Sequence, residues 1–402
     1  MTSARFCAIA FLWALTLMLP GCGGSKASNA SSSSSPASGT NVQAITVNAG
    51  PTGNYANGLF TSVTVCAPGT SNCQTVSGVL VDTGSYGLRV LSSALKLSLP
   101  QQNDSGGNPV VECAQFVLGI TWGPVKTAEI KLGGEQANSV PVEVIGDPAY
   151  STVPAGCSGH GTPQQTLAAL GANGILGVGS FIADCGSACA ASGSGNPGFY
   201  YGCPTASSCQ IIAEPVSQQV QNPVAFFAAD NNGVMVQLPA VSASTASVSG
   251  SLVFGIGTQS NNSLGGAKVF KLDNFGNFTT TYKSKAYPGF LDTGSNAYFF
   301  LDSATTGITD CPSQENGFYC PSSPASVSAT NTGANSTSSN VSFTVDNAAT
   351  LFANATDSVF PTLAGPNAGA FDWGLPFFFG RNVFTAIETK STPGGTGPFW
   401  AY

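Results

Sequence analysis

The tetrapeptide Asp-Thr-Gly-Ser occurs twice in this chain, as Asp82-Thr83-Gly84-Ser85 and again as Asp292-Thr293-Gly294-Ser295. Each copy follows a short apolar run, "GVLV" in the first case and "GFL" in the second, of the kind that reads as a buried strand. A second signal follows each copy, two apolar residues and a glycine: "NGILGVG" reaches Gly177 and "LPFFFGRN" reaches Gly380. The separations nearly match, 95 residues from Asp82 to Gly177 and 88 from Asp292 to Gly380. Self-similarity of this kind marks a duplicated structural unit. It restricts the chain to folds with two related halves, each ending a buried strand on an aspartate.

The segments between the repeats are strand-like. "LFTSVTVC" (Leu59–Cys66), "VKTAEIKL" (Val125–Leu132) and "NVSFTVDN" (Asn340–Asn347) alternate apolar and polar residues, the period of a half-buried strand. Helical signals are few and short: "SSALKL", "PQQTLAALG" and "EPVSQQVQNPVAFFAA". With 49 glycines and only 8% charged residues in 402, the composition fits an exported, turn-rich, all-β protein. A net charge of -7 and the lack of any Lys/Arg cluster exclude nucleic acid as a partner, since nothing would neutralise its phosphates.

A lone carboxylate on a loop is simply ionised at neutral pH. Two carboxylates held about 3 Å apart cannot both ionise cheaply, so they share one proton. One then serves as base toward a water while the other serves as acid toward a carbonyl oxygen, and the pair titrates as a unit. The residues around Asp82 and Asp292 suit such a pair. Gly84 and Gly294 permit close approach of two loops. Thr83 and Thr293 can bond across to the opposite loop, and Ser85 and Ser295 can donate to the outer oxygens of the aspartates.

On these residues the chain resembles the bilobal, pepsin-like aspartic peptidases, which carry apolar-Asp-Thr-Gly-Ser/Thr once per lobe. "NGILGVGSF" resembles the first-lobe segment beneath the catalytic loop. "QNPVAFFAADNNG" and "SGSLVFGIGTQSNN" resemble the interlobe segment and the strand entering the second lobe. "FFFGRNVFTAIE" is similar both to the last pepsin segment and, through Gly380-Arg381-Asn382, to its retropepsin counterpart. The chain also resembles an uncharacterised family of bacterial lipoproteins linked to this fold. The resemblance spans about Asn57 to Glu388. It implies two β-barrel-like lobes with short helices, a cleft between them, and an endopeptidase using Asp82 and Asp292 without metal or cofactor. It further implies support from below by Gly177 and Gly380, and pairing of Arg381 with an acid in the second lobe.

The flap departs from the pattern. Pepsin-like enzymes close a hairpin bearing a Tyr over the substrate, and the equivalent stretch here, Cys113–Gly134, has none. Trp122 falls at the expected tip and is the candidate flap residue, with Phe116 on the ascending strand. "YGLRV" after the first motif also lacks the Trp that often supports the flap Tyr.

The N-terminus reads as an export signal: one positive charge in "MTSAR", then the 14-residue apolar run "FCAIAFLWALTLML". Leu19-Pro20-Gly21-Cys22 resembles a bacterial lipobox, which implies lipidation of Cys22, and Gly23 in place of Asp favours the outer membrane over the inner. The expected organisation is residues 1–21 signal peptide, 22–44 Ser-rich tether, 45–222 first lobe and 223–402 second lobe, a monomer in the cell envelope. Without Cys7 and Cys22, 10 of the 12 cysteines remain for an oxidising compartment. Cys66 with Cys73 and Cys311 with Cys320 are close enough to staple hairpins. Cys185, Cys189, Cys203 and Cys209 crowd one loop in unresolved order, leaving Cys113 and Cys157. That loop lacks the tight Cys pairs or nearby His of a zinc site.

A Ser-His-Asp hydrolase would rest on the single His160, but no G-x-S-x-G elbow accompanies it. The rival from another class is a protein- or peptide-binding lipoprotein built on a peptidase scaffold, because fold does not fix function.

Overall fold

The computed structural model describes residues 37–312 and 314–402. The signal peptide, Cys22 and most of the tether lie outside the described residues.

Among the described residues strands dominate, 24 of them beside nine helical turns of three or four residues. The alternating segments form Gly58–Cys66, Gly119–Leu132 and Ser338–Val345, each burying its apolar set. The helical segments shrink to single turns, for local reasons. At "SSALKL" the Gln74 side chain takes over the backbone: it accepts from Lys96 N at 2.7 Å and donates to Ala94 O at 2.7 Å. "PQQTLAALG" keeps four helical residues, Leu167–Leu170, capped by Thr166. "EPVSQQVQNPVAFFAA" splits into the 3-10 turns Val216–Gln218 and Pro223–Phe226. Pro223 breaks it between the two turns, since proline lacks the N–H a continuing helix needs, while Pro215 merely opens the first turn.

The first lobe is one strongly curled sheet. Cys73–Asp82 lies antiparallel to Gly58–Cys66 and parallel to Gly174–Val178, which in turn pairs antiparallel with Tyr86–Leu91. The second lobe repeats this weave. Lys285–Leu291 runs parallel to Asn367–Trp373, which pairs antiparallel with Tyr298–Leu301. Between the two runs a layer of strands in the order Val42–Asn48, Val248–Phe254, Gly233–Gln237, Asn382–Ala386, Phe399–Ala401 and Val269–Lys271. The N-terminal strand of this layer starts at Val42, inside the stretch read as tether, and pairs Val42 with Val253. Each aspartate-bearing strand has a parallel strand on one side and an antiparallel strand on the other, and the residues leading into the aspartates, 79–81 and 289–291, are mostly buried there.

Five disulfides staple the loops: Cys66–Cys73, Cys113–Cys157, Cys185–Cys189, Cys203–Cys209 and Cys311–Cys320. The crowded loop therefore pairs its nearest neighbours.

Candidate active site

Asp82 closes its strand with Asp82 in register with Gly177, and the chain then turns sharply into Tyr86–Leu91. A Cβ on Gly177 would collide with the backbone of Ser85 and Tyr86, so glycine is required beneath this turn. Asp292 follows Leu291, which is in register with Trp373, and donates its backbone N–H to Trp373 O at 3.2 Å. The residue beneath the second turn is therefore Gly374, whose Cβ would collide with Ala297 O and Ser295 O. Gly380, expected in this role, instead lies at φ +74° beside Ala240. The second-lobe signal is "FDWG", not the apolar pair and glycine six residues later; an acid at the first apolar position hid it.

The two loops meet with near two-fold symmetry. Thr83 N donates to Thr293 Oγ1 at 3.1 Å, and Thr293 N donates to Thr83 Oγ1 at 3.0 Å. Each hydroxyl then donates onward, Thr83 to Leu291 O at 3.2 Å and Thr293 to Val81 O at 2.7 Å. Both threonines are buried, so four otherwise orphaned polar groups satisfy one another across the lobes. Gly84 N donates to Asp82 Oδ1 and Gly294 N to Asp292 Oδ1, both at 2.7 Å. Ser85 and Ser295 donate to the outer oxygens Asp82 Oδ2 and Asp292 Oδ2 at 2.5 and 2.8 Å.

The glycines set how near the carboxyls come. A methyl on Gly84 would lie 2.8 Å from Asp292 Cγ, and one on Gly294 would lie 2.7 Å from Asp82 Oδ1. The two carboxyls are within hydrogen-bonding reach of one another. Burial, and then the charge of Asp82, push the Asp292 carboxyl well above the usual carboxylate range. Asp292 keeps part of its surface open to solvent, as do Ser85, Gly294 and Ser295. The pair can therefore hold one proton at a place a reactant can reach.

Three further residues complete the site that the motif alone does not reveal. Asn57 is buried and ties the lobes together: it donates to Asn296 O at 2.7 Å and Phe360 O at 2.9 Å, and accepts from Phe360 N at 2.7 Å. Tyr55, two residues earlier, lies near both aspartates; burial and then their charges push its hydroxyl up to about 12. Asp372 accepts from Ser295 Oγ at 2.5 Å, which places a third carboxyl directly behind the pair.

The remaining expectations divide. Trp122 is not at a tip: it is fully buried, its Nε1 donates to Tyr150 O at 2.9 Å, and its ring packs edge-on against Tyr201 at 5.2 Å. The hairpin pairs Cys113 with Trp122 and Phe116 with Gly119, so Val117 and Leu118 form its tip, both highly exposed. In "YGLRV", the segment that lacks a supporting Trp, the Arg89 guanidinium lies 5.7 Å from the Phe116 ring centre. Arg381 has no acid partner among the described residues. Its guanidinium donates to Phe377 O at 2.5 Å and lies 4.5 Å from the Phe377 ring centre. His160 is exposed in a loop, away from any triad.

This fold is that of the pepsin-like aspartic proteinases. An aspartic proteinase from Irpex lacteus shares it at a TM-score of 0.50 and 14% identity, over 90% of this chain and 96% of that one. By sequence the chain belongs to the family described as "Protein of unknown function (DUF3443)", whose profile matches residues 37–402. No curated protein matches it.

Proposed function

We propose that this protein is an aspartic endopeptidase, with Asp82 and Asp292 as its catalytic pair. The observation that carries the reading is the intact cross-bonding of Thr83 and Thr293, which brings the carboxyls of the two loops together at a solvent-accessible point. Buried reciprocal bonding of this kind has little purpose in a chance turn, because a single loop could satisfy the same groups locally.

The mechanism follows from the shared proton. The ionised carboxyl takes a proton from a water between the two, and the resulting hydroxide-like oxygen attacks the peptide carbonyl. The protonated carboxyl gives its proton to the carbonyl oxygen as the C–O bond forms. The tetrahedral intermediate then breaks its C–N bond while the leaving nitrogen takes a proton from the pair. As the carboxylic acid product forms, one hydroxyl of the intermediate returns its proton to the pair, so the pair has gained two protons, given two, and is back with one. Thr83, Ser85, Thr293 and Ser295 hold the carboxyls in place, and Gly84 and Gly294 let them approach. The substrate is a peptide or unfolded protein, and the protein acts as a monomer at the envelope through lipid on Cys22.

The test is incubation of the folded protein with unfolded proteins from about pH 3 to 7, with products mapped by mass. Asp82→Asn and Asp292→Asn should each reduce cleavage by about 10³-fold or more, because neither remaining carboxyl can act as both acid and base. Cleavage by either variant within about tenfold of the wild type would overturn the two-aspartate mechanism. A folded wild-type protein that is silent at every pH would favour the peptide-binding lipoprotein.

A further inference from the structure

The two lobes differ at one atom position that matters for protons. In the first lobe, Ser85 Oγ has a single carboxyl partner, Asp82 Oδ2. In the second, Ser295 Oγ lies 2.8 Å from Asp292 Oδ2 and 2.5 Å from Asp372 Oδ2. The strand registers show where the extra acid comes from. Leu80 is in register with Ile175 in the first lobe, and Phe290 is in register with Asp372 in the second. Asp372 thus stands where the first lobe has an isoleucine.

A serine hydroxyl carries one hydrogen. It cannot donate to two carboxylates at once, so one of the two short oxygen contacts needs a second proton. Either Asp372 is protonated and donates to Ser295, which donates to Asp292, or the chain runs the other way from a protonated Asp292. The surroundings give no cation to substitute for that proton. Asp372 is 7% exposed, its Oδ1 has no hydrogen-bond partner, and its cross-strand neighbours are Phe290 and Phe299. The charged groups near it are Asp292 and Asp82, and no ion pair reaches it among the described residues.

We infer that Asp372 is a positioning acid for the catalytic pair, joined to Asp292 through Ser295 in a three-residue proton chain that extends the site's working range toward neutral pH. The balance is simple. A proton leaves Asp372 Oδ2 for Ser295 Oγ as the serine's own proton passes to Asp292 Oδ2, leaving a carboxylate at Asp372, a neutral serine and a carboxylic acid at Asp292. Ionised Asp372 is then a negative charge behind the pair, which makes it harder for the pair to lose its last proton. Consistent with this, burial first and the Asp82 charge besides push Asp372 up to about 7 against the pull of the Ser295 hydrogen bond, and the Asp372 charge helps to raise Asp292.

The catalytic consequence rests on the peptidase reading; the proton chain itself does not, and the two are tested separately. Full-length protein labelled with ¹³C at aspartate Cγ is titrated by NMR without substrate, beside Asp372→Asn and Asp372→Ile. Asparagine can donate to Ser295 as a protonated Asp372 would, and isoleucine copies the first lobe. The Asp372 signal, identified by its loss in both variants, should titrate well above the ordinary carboxylate range. Asp292 should titrate at lower pH in both variants by one unit or more. An Asp372 that titrates in the ordinary range, or an Asp292 unmoved by both replacements, overturns the inference whether or not the protein cleaves anything. In the cleavage assay the alkaline limb of the pH profile should move acidward by at least one unit, about a tenfold loss one unit above the limb. An equal loss at every pH, with the limb unmoved, would show a merely structural residue.

Discussion

Thr293 makes more of the site than its size suggests. Its hydroxyl accepts from Thr83 N and donates to Val81 O, and Thr293 itself is fully buried. Replacing it by alanine strands one donor and one acceptor away from water, at a cost of about 2–3 kcal/mol. Thr293→Ala should therefore lower the unfolding free energy by about that amount and weaken cleavage, while Thr293→Ser, which keeps the hydroxyl, should recover most of both. Denaturant unfolding of the two variants checks this, and equal losses in both would show that the methyl, not the hydrogen bonds, matters. This part of the site was legible in the sequence, since Thr and Ser beside a turning Asp-Gly have a defined hydrogen-bonding vocabulary. Asp372 was not, because its partner Ser295 lies 77 positions away and nothing local to "AFDWG" demands a proton. Gly374 was missed for the same cause: the polar Asp372 breaks the apolar pattern that would have marked it.

At the scale of the element, the hairpin of Val110–Phe116 and Gly119–Leu132 shows how a correct element can carry a wrong register. The sequence places a hairpin here, but without the pairing partner its tip is undetermined over several residues. The turn falls at Val117 and Leu118, and period-two alternation then sends Trp122 inward beside the Cys113–Cys157 disulfide. Trp122→Ala should cost about 3–5 kcal/mol, the usual loss for a large buried aromatic. Val117→Ala and Leu118→Ala should leave thermal stability nearly unchanged, since their side chains are exposed. If Trp122→Ala melted like the wild type, the tryptophan would not be core and the flap assignment would reopen. The short helical segments teach a related lesson. Prolines 215 and 223 and the Gln74 side chain were visible, but only the fold shows Gln74 reaching Ala94 and Lys96 to occupy a backbone that composition left free.

The whole molecule stores an unusual amount of buried acid, and this fixes how its stability should respond to pH. Arg89 sits in the first lobe among Glu112 at 2.5 Å, Asp184 at 2.8 Å and Glu143 at 3.3 Å, all buried. One guanidinium cannot balance three carboxylates, and Glu112 Oε2 and Glu143 Oε1 have no hydrogen-bond partner. Burial dominates the Arg89 attraction in each case: Glu143 is pushed up to about 7, Glu112 is raised, and Asp184 is raised well above its ordinary value. Burial likewise pushes Glu214 up to about 7, and Asp372 up to about 7. A carboxyl whose folded value is raised binds its proton more tightly in the folded state. The stability it contributes is complete below the unfolded values of 3.8 and 4.5 and is lost as pH rises through about 7. Asp104 and Asp302, which are lowered by local hydrogen bonds, act in the opposite sense, but only as pH falls below the ordinary carboxylate value. The thermal midpoint should accordingly rise as pH is taken from about 8 down to about 5, and turn over in stronger acid. Each group that takes up a full proton contributes about 1.4 kcal/mol per pH unit across its window. Glu143→Gln removes one such group while keeping a polar side chain, so its midpoint should depend less steeply on pH over the same range. A wild-type midpoint that is flat or rises toward pH 8 would mean that these carboxyls ionise in place without penalty, and that the buried acids of the first lobe are solvated in a way their contacts do not show.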